Sequence, residues 1–95
     1  MLTVIATLEA KSGKEVELER ELFALTQTTL EEEGCINYDL LRALQTPGKF
    51  VFYENWASQE DFDRHVAADH TKAFLAKAQG LLAKPAQIEP YEIVD

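Results

Sequence analysis

Apolar residues recur along the chain with two periods, and the order in which those periods alternate predicts the elements. Leu2 to Glu9 alternates around Val4, Ala6 and Leu8, with Leu2 at its start and Ile5 on the other side, which is the period-two signature of a strand. "KSG" at 11–13 breaks it, and Ser12 with Glu15 three residues on has capping-box spacing, so a helix is predicted from about Lys14 to Glu33. Val16, Leu22, Phe23, Leu25, Thr26 and Leu30 give that helix an apolar stripe, and Gly34 is its expected left-handed stop. Cys35 to Leu44 and Phe50 to Ala57 read as the second and third strands. They are joined through "QTPGK", where Pro47-Gly48 suits the centre of a type II turn inside a loop longer than two residues. Ser58 and Asp61 repeat the capping signal before a short helix with Phe62 and Val66, running to about Ala67. After a break at "ADH", Asp69 is the expected N-cap of a third helix carrying Phe74, Leu75, Ala78, Leu81 and Leu82, ended by Pro85. Gln87 to Val94 is a last strand, which Pro90 confines to an edge or a bulge.

The order β-α-β-β-α-α-β predicts an α+β, ferredoxin-like plan, an antiparallel sheet with its helices on one face. No linker, repeat or low-complexity stretch divides residues 1–95, so a single domain is expected. Helices on one side cannot cover the other, yet Ile5, Val51, Tyr53 and Ala57 make that other side apolar as well. Burial against a second copy, a homodimer, is the simplest resolution.

Within "FVFYENWAS", Phe50 to Ser58, Glu54 shares a face with Phe50, Phe52 and Trp56. A carboxylate among large rings needs a partner or a use. An odd-length hairpin loop can set Arg42 against Glu54, Leu40 against Trp56 and Leu44 against Phe52, which supplies a guanidinium. The shifted register sets Glu54 against Leu41 and Trp56 against Asp39. The first is preferred, with Glu54 held by Arg42 and a direct catalytic role as its competitor.

Composition narrows the partners. The chain has 95 residues, 46% hydrophobic and 27% charged, an ordinary globular balance, with a net charge of -8. That acidity argues against nucleic acid and against docking to an anionic membrane surface. No apolar run approaches the roughly 20 residues of a membrane span, and "MLTVIATLEA" lacks the features of a signal peptide. The lone Cys35 cannot form an internal disulfide, which points to a cytoplasmic setting, and the acids near it favour a structural thiol. Glu31, Glu32 and Glu33 read as solvated surface at the unfavourable end of the first helix.

Candidate chemistry is sparse. His65 and His70 are the only histidines, and five residues on a continuous helix set them some 140° apart. No cysteine or acid stands in a recognisable ligand spacing with them, so no metal is expected. Each histidine reads equally as a half-buried helix residue or as a base. Trp56 alone reads as core, and Tyr38 as a packed ring with a satisfied hydroxyl. There is no phosphate-binding glycine loop and no nucleophile triad of known spacing.

Taken in order, "EEGCINYDL", "FVFYENWAS", then His65, His70 and Phe74 resemble the antibiotic-biosynthesis monooxygenase-like family of dimeric α+β barrels. The shared pieces are E-G-C-x-x-Y-D, E-x-W-x-S and H-x-x-x-x-H-x-x-x-F, and the likeness spans the chain. The resemblance implies two subunits packed sheet to sheet, each with a cavity between sheet and helices. Members of the family include cofactor-independent monooxygenases acting on phenols and quinols, haem degraders and an isomerase. The leading expectation here is a monooxygenase, acting without a cofactor, that oxidises a small electron-rich aromatic, a quinol or phenol, with O2. His70 is the first choice of base and His65 the second, with Trp56, Phe52 and Phe74 stacking on the substrate ring and Tyr38, Glu54 and Arg42 completing the pocket. Trp56 and His70 are accordingly expected to border one cavity. Haem-degrading members use an asparagine on the first strand, whereas the first asparagine here is Asn37. Two alternatives stand beside the oxygenase: an isomerase using the same histidines with Arg42 or Arg64 as anchor, and a non-enzymatic dimer binding small ligands.

Overall fold

In a computed structural model covering residues 1–95, the elements are β1 (Leu2–Glu9), α1 (Glu15–Thr29), β2 (Cys35–Arg42), β3 (Lys49–Trp56), α2 (Gln59–Ala67), α3 (Asp69–Ala78) and β4 (Gln87–Tyr91). Their order is the predicted one. The strands form one antiparallel sheet ordered β2-β3-β1-β4, the ferredoxin-like arrangement. Pro90 sits on the edge strand β4, where a missing N–H leaves no interior ladder broken.

Alternation sorts the sheet into two faces. Val4, Ala6 and Leu8 of β1 pair with Glu54, Phe52 and Phe50 of β3, and all of these are buried beneath the helices with Trp56. Leu18, Leu22 and Leu25 of α1 and Phe74 and Ala78 of α3 close the core from above. The other sheet face carries half-buried Ile5 and Val51 and partly exposed Tyr53. A polar chain also crosses it, in which Thr3 donates to Asn55, Asn55 to Asn37 and Asn37 to Asp39.

Helix α1 departs from its prediction at both ends and in its face. Lys14 is the N-cap without any side-chain cap bond, so Ser12 does not cap it. The buried positions are Leu18, Leu22, Leu25, Thr26 and Thr29, while Val16, Phe23 and Leu30 are 73%, 61% and 49% exposed. Phe23 lies one residue, about 100° of helix, beyond Leu22, and the core accepts only one stripe. The helix stops at Thr29, with no basic residue in its last turn to offset the glutamates that follow. Residues 30–34 turn instead, and Gly34 ends the turn with φ 84° while its carbonyl accepts from the Ala57 N–H at 2.8 Å.

The hairpin register also differs. Glu54 faces Tyr38, Phe52 faces Leu40, and Arg42 faces Phe50. The Pro47-Gly48 turn exists, closed by the Lys49 N–H on the Thr46 carbonyl at 3.1 Å with Gly48 at φ 82°. It lies on one flank of the loop rather than at its apex, because Ala43 already bonds Lys49. Pairing is therefore centred nearer Thr46 than Gly48, and Arg42 is carried away from Glu54. A bulge between Cys35 and Asn37 leaves Ile36 unpaired, so both Cys35 and Tyr38 face the helices.

Ser58 caps α2 as predicted, its hydroxyl accepting from the Asp61 N–H at 3.2 Å. Ala68, extended at φ -66° and ψ 146°, separates α2 from α3 and serves as the α3 N-cap, so Asp69 opens the helix rather than capping it. Helix α3 ends at Ala78, before Pro85, because the chain turns there to bridge Leu82 to Ala10 and to bond Ala83 to Glu9. No helix is long and apolar enough to cross a membrane.

Candidate active site

Between the sheet and helices α2 and α3 lies an apolar cavity of about 70 Å³. Phe52, Tyr38 and Ala6 form its floor, Phe62 and Phe74 its walls, and exposed Val66, Leu75 and Ile88 its mouth. Only Glu54, His65 and Thr71 bring polar side chains other than the Tyr38 phenol to the lining. Thr71 Oγ1 is buried without a hydrogen-bond partner. For scale, an apolar cavity of about 150 Å³ accommodates benzene, so admitting an aromatic ring here requires the mouth to open.

Glu54 is 3% exposed and has no cation near it. Its Oε1 accepts a 2.9 Å hydrogen bond from Trp56 Nε1, two residues along the same face of β3. Arg42, its expected partner, binds Glu19 of α1 at the surface, at 2.6 and 3.0 Å. Burial pushes the Glu54 carboxyl up to about 7, against the opposing pull of the indole N–H. The same burial, with Glu54 nearby, raises the Tyr38 phenol well above its ordinary range, which keeps it a neutral donor. The Cys35 thiol is pushed up to about 11 and is correspondingly unreactive.

His65 is buried against Trp56, with ring centroids 4.8 Å apart, and against Tyr38 at 5.5 Å. Its Nδ1 lies 2.7 Å from Glu32 Oε2, and His70 Nε2 lies 2.7 Å from the same oxygen. A carboxylate oxygen only accepts, so His65 donates from Nδ1, and in its neutral form the lone pair rests on Nε2. Burial lowers the His65 pKa, opposed by Glu32, and so favours that neutral form. The break at Ala68 makes the convergence possible. On one continuous helix the rings would diverge, but the extended residue redirects α3 and brings His70 back over the turn at 30–34.

The predicted residues therefore divide. Phe52, Phe74, Tyr38, Glu54 and His65 share the cavity. Trp56 lies behind it, fully buried and holding Glu54 and His65, while His70 borders a separate depression with Glu21, Thr28 and Lys77. The two do not border one cavity, and Arg42 lies away from it. Glu32, read as solvated surface, is the unforeseen member. With His65 and His70 it makes a set whose potential ligand atoms all lie within 4.8 Å of one another, so the structure does bring together the acid that a metal site would need. Nothing local distinguishes Glu32 from Glu31 and Glu33. Thr71 and Phe62 were also missed, although the spacing of Phe62 from Val66 had placed it on the apolar side of α2.

The antibiotic biosynthesis monooxygenase family model matches residues 1–77. The protein sll1783 of Synechocystis sp. is 32% identical over 98 residues, covering 99% of this chain, which spans 64% of that relative. PA3566 from Pseudomonas aeruginosa superposes with a TM-score of 0.92 at 32% identity, over 99% of this chain and 94% of its own. A crystal structure of an antibiotic biosynthesis monooxygenase superposes at 0.93 with 26% identity, both chains covered in full. The matched stretch runs from β1 through most of α3 and so contains every polar group of the cavity. By sequence and by fold, the chain belongs to the antibiotic biosynthesis monooxygenase family.

Proposed function

We propose that this protein is a monooxygenase that oxidises a small electron-rich aromatic, a quinol or phenol, with O2, and that His65 rather than His70 is its base. The observation that carries the reading is the Glu32–His65 pair at 2.7 Å, which fixes one imidazole tautomer beside an apolar cavity that also holds Glu54. Glu32 positions the ring and does not touch substrate.

The chemistry needs little else. His65 Nε2 takes the phenolic proton, and the aryloxide passes one electron to O2. The radical pair joins to form a carbon–oxygen bond, giving a ring hydroperoxide that loses water to leave a quinone. One O2 is consumed per substrate, one oxygen atom enters the ring and the other leaves as water, and no external reductant is required. The apolar lining of Phe52, Phe62 and Phe74 would stack on the ring and hold water away from the radical pair. Thr71 and protonated Glu54 would meet the second oxygen of a quinol, giving the buried Thr71 hydroxyl the partner it lacks.

Each subunit would work within a homodimer that buries the sheet face bearing Ile5, Val51 and Tyr53. The deciding experiment incubates the purified protein with a panel of hydroquinones and phenols and records oxygen uptake and product spectra. Stoichiometric uptake that disappears in His65→Ala, in a variant whose circular-dichroism spectrum matches that of the native protein, supports the reading. Saturable binding of the aromatics with no turnover would replace it with a small-ligand-binding module, and isomerised products without oxygen uptake would replace it with an isomerase.

A further inference from the structure

Glu32, His65 and His70 come from three different segments, the turn after α1, helix α2 and the start of α3, and converge on one carboxylate oxygen. We infer that these three residues form a binding site for a single zinc-like transition-metal dication. Two imidazole nitrogens and one carboxylate oxygen suit Zn2+, Co2+ or Ni2+, whereas Mg2+ and Ca2+ favour oxygen-only surroundings.

The geometry needs modest adjustment. Bonds of about 2.0–2.2 Å to a tetrahedral ion set ligand atoms roughly 3.3 Å apart. The two nitrogen–oxygen separations of 2.7 Å must open slightly, and the two nitrogens, within 4.8 Å of each other, must close. His65 is held by the core, but the His70 side chain is 29% exposed and can move. His70 also borders the solvent-open depression between α1 and α3, which gives an ion a path in and leaves room for water to complete its coordination.

Binding would move protons. Nδ1 of His65 and Nε2 of His70 now both donate to Glu32, and as metal ligands each must instead give up that proton and offer its lone pair. The neutral His65 ring loses the proton from Nδ1 and takes one up at Nε2, with no net change on that ring. The nitrogen assigned above as the base is thereby blocked, so the metal would inhibit turnover. This consequence rests on the proposed role of His65, but the binding site does not.

The test titrates Co2+, and then Zn2+, into the native protein freed of metal, following the Co2+ visible spectrum and the heat of binding. One equivalent is expected in the native protein. His70→Ala and Glu32→Gln should weaken it by more than about 100-fold, since loss even of an outer partner costs about 10–100-fold. Both positions are at least partly open, so these variants should fold where a change at buried His65 would not be a clean probe. The chain carries 17 acidic residues, so ions held equally by both variants would be surface-bound, and that result overturns the site. No spectral change in the native protein overturns it too. One-equivalent binding lost in the variants, without any hydroquinone turnover, upholds the site and removes the base role of His65.

Discussion

Trp56 donates its indole N–H to Glu54 across two residues of one strand, at 2.9 Å, and this replaces the cross-strand ion pair the sequence suggested. A neutral donor satisfies one carboxylate lone pair without supplying a compensating charge. The carboxyl consequently remains costly to ionise, and its pKa stands near 7.

That cost makes stability depend on pH with a definite sign. Between the ordinary carboxyl value and about 7, the folded state holds a proton on Glu54 that the unfolded chain has released, so stability falls as pH rises through this window. Glu54→Gln should remove that fall and be more stable than the native protein at pH 8, by on the order of 3 kcal/mol. His65 has the opposite slope, because its lowered pKa means stability is lost as pH drops below the ordinary histidine value. Urea unfolding of both proteins at pH 5 and pH 8 measures the difference, and parallel pH curves would reject the buried ionisation.

Removing the Trp56 ring should be more damaging than removing its N–H. Trp56→Ala should destabilise by about 3–5 kcal/mol, the usual cost of emptying a large buried site. Trp56→Phe keeps most of the packing but takes away the hydrogen bond that lowers the Glu54 pKa, so that pKa should rise further. Infrared titration of the carboxyl stretch reports the change, and an unchanged or lower value would deny the bond.

For catalysis, His65→Ala should reduce oxygen uptake by about 100-fold or more, the usual contribution of a general base. His70→Ala, away from the cavity, should leave a larger share of the activity. Turnover in the native protein should decline at low pH as His65 gains a proton, and Glu32→Gln should weaken it by loosening the tautomer. Equal losses from the two alanine variants would return the base assignment to an undivided pair.

Gly34→Ala should cost about 1 kcal/mol or more, since φ is 84° and the new Cβ would clash with the Asp61 carboxyl group. The strain falls on Asp61, whose N–H donates to the Ser58 cap, and on the turn that delivers Glu32. Circular-dichroism melts should show the loss, with a matching loss of Co2+ binding.

The second copy is testable by mass. Sedimentation at micromolar concentration should give twice 10.7 kDa, and Val51→Lys, which sets a charge at the centre of the open sheet face, should return the protein to a single copy. A monomeric native protein would leave Ile5, Val51 and Tyr53 unexplained.

The sequence carried the element order and the buried face of the sheet well, because Val4, Ala6, Leu8, Phe50, Phe52 and Trp56 follow a period that only a strand satisfies. It carried the hairpin register poorly. A shift of four residues in the partner of Glu54, from Arg42 to Tyr38, keeps every side chain on its original face, so alternation cannot detect it. The position of the turn decided the matter, and that depended on Ala43 bonding Lys49. The aromatic half of the cavity was legible from large residues on known faces. Glu32 was not, since its partners lie 33 and 38 residues away and meet it only through an irregular turn and a broken helix.

The unpaired Ile36 gives β2 one place where its length is negotiable. Removing that single residue would turn the bulge into a regular ladder, with Cys35 still opposite Trp56 and Tyr38 still opposite Glu54. Removing Asn37 would do the same with Ile36 in its place, whereas removing Asp39 would carry Tyr38 to the other side of the sheet and removing Tyr38 would lose its ring outright. Shortening of this strand during divergence would therefore be channelled to the two positions just after Cys35, and the aromatic floor of the cavity would survive it.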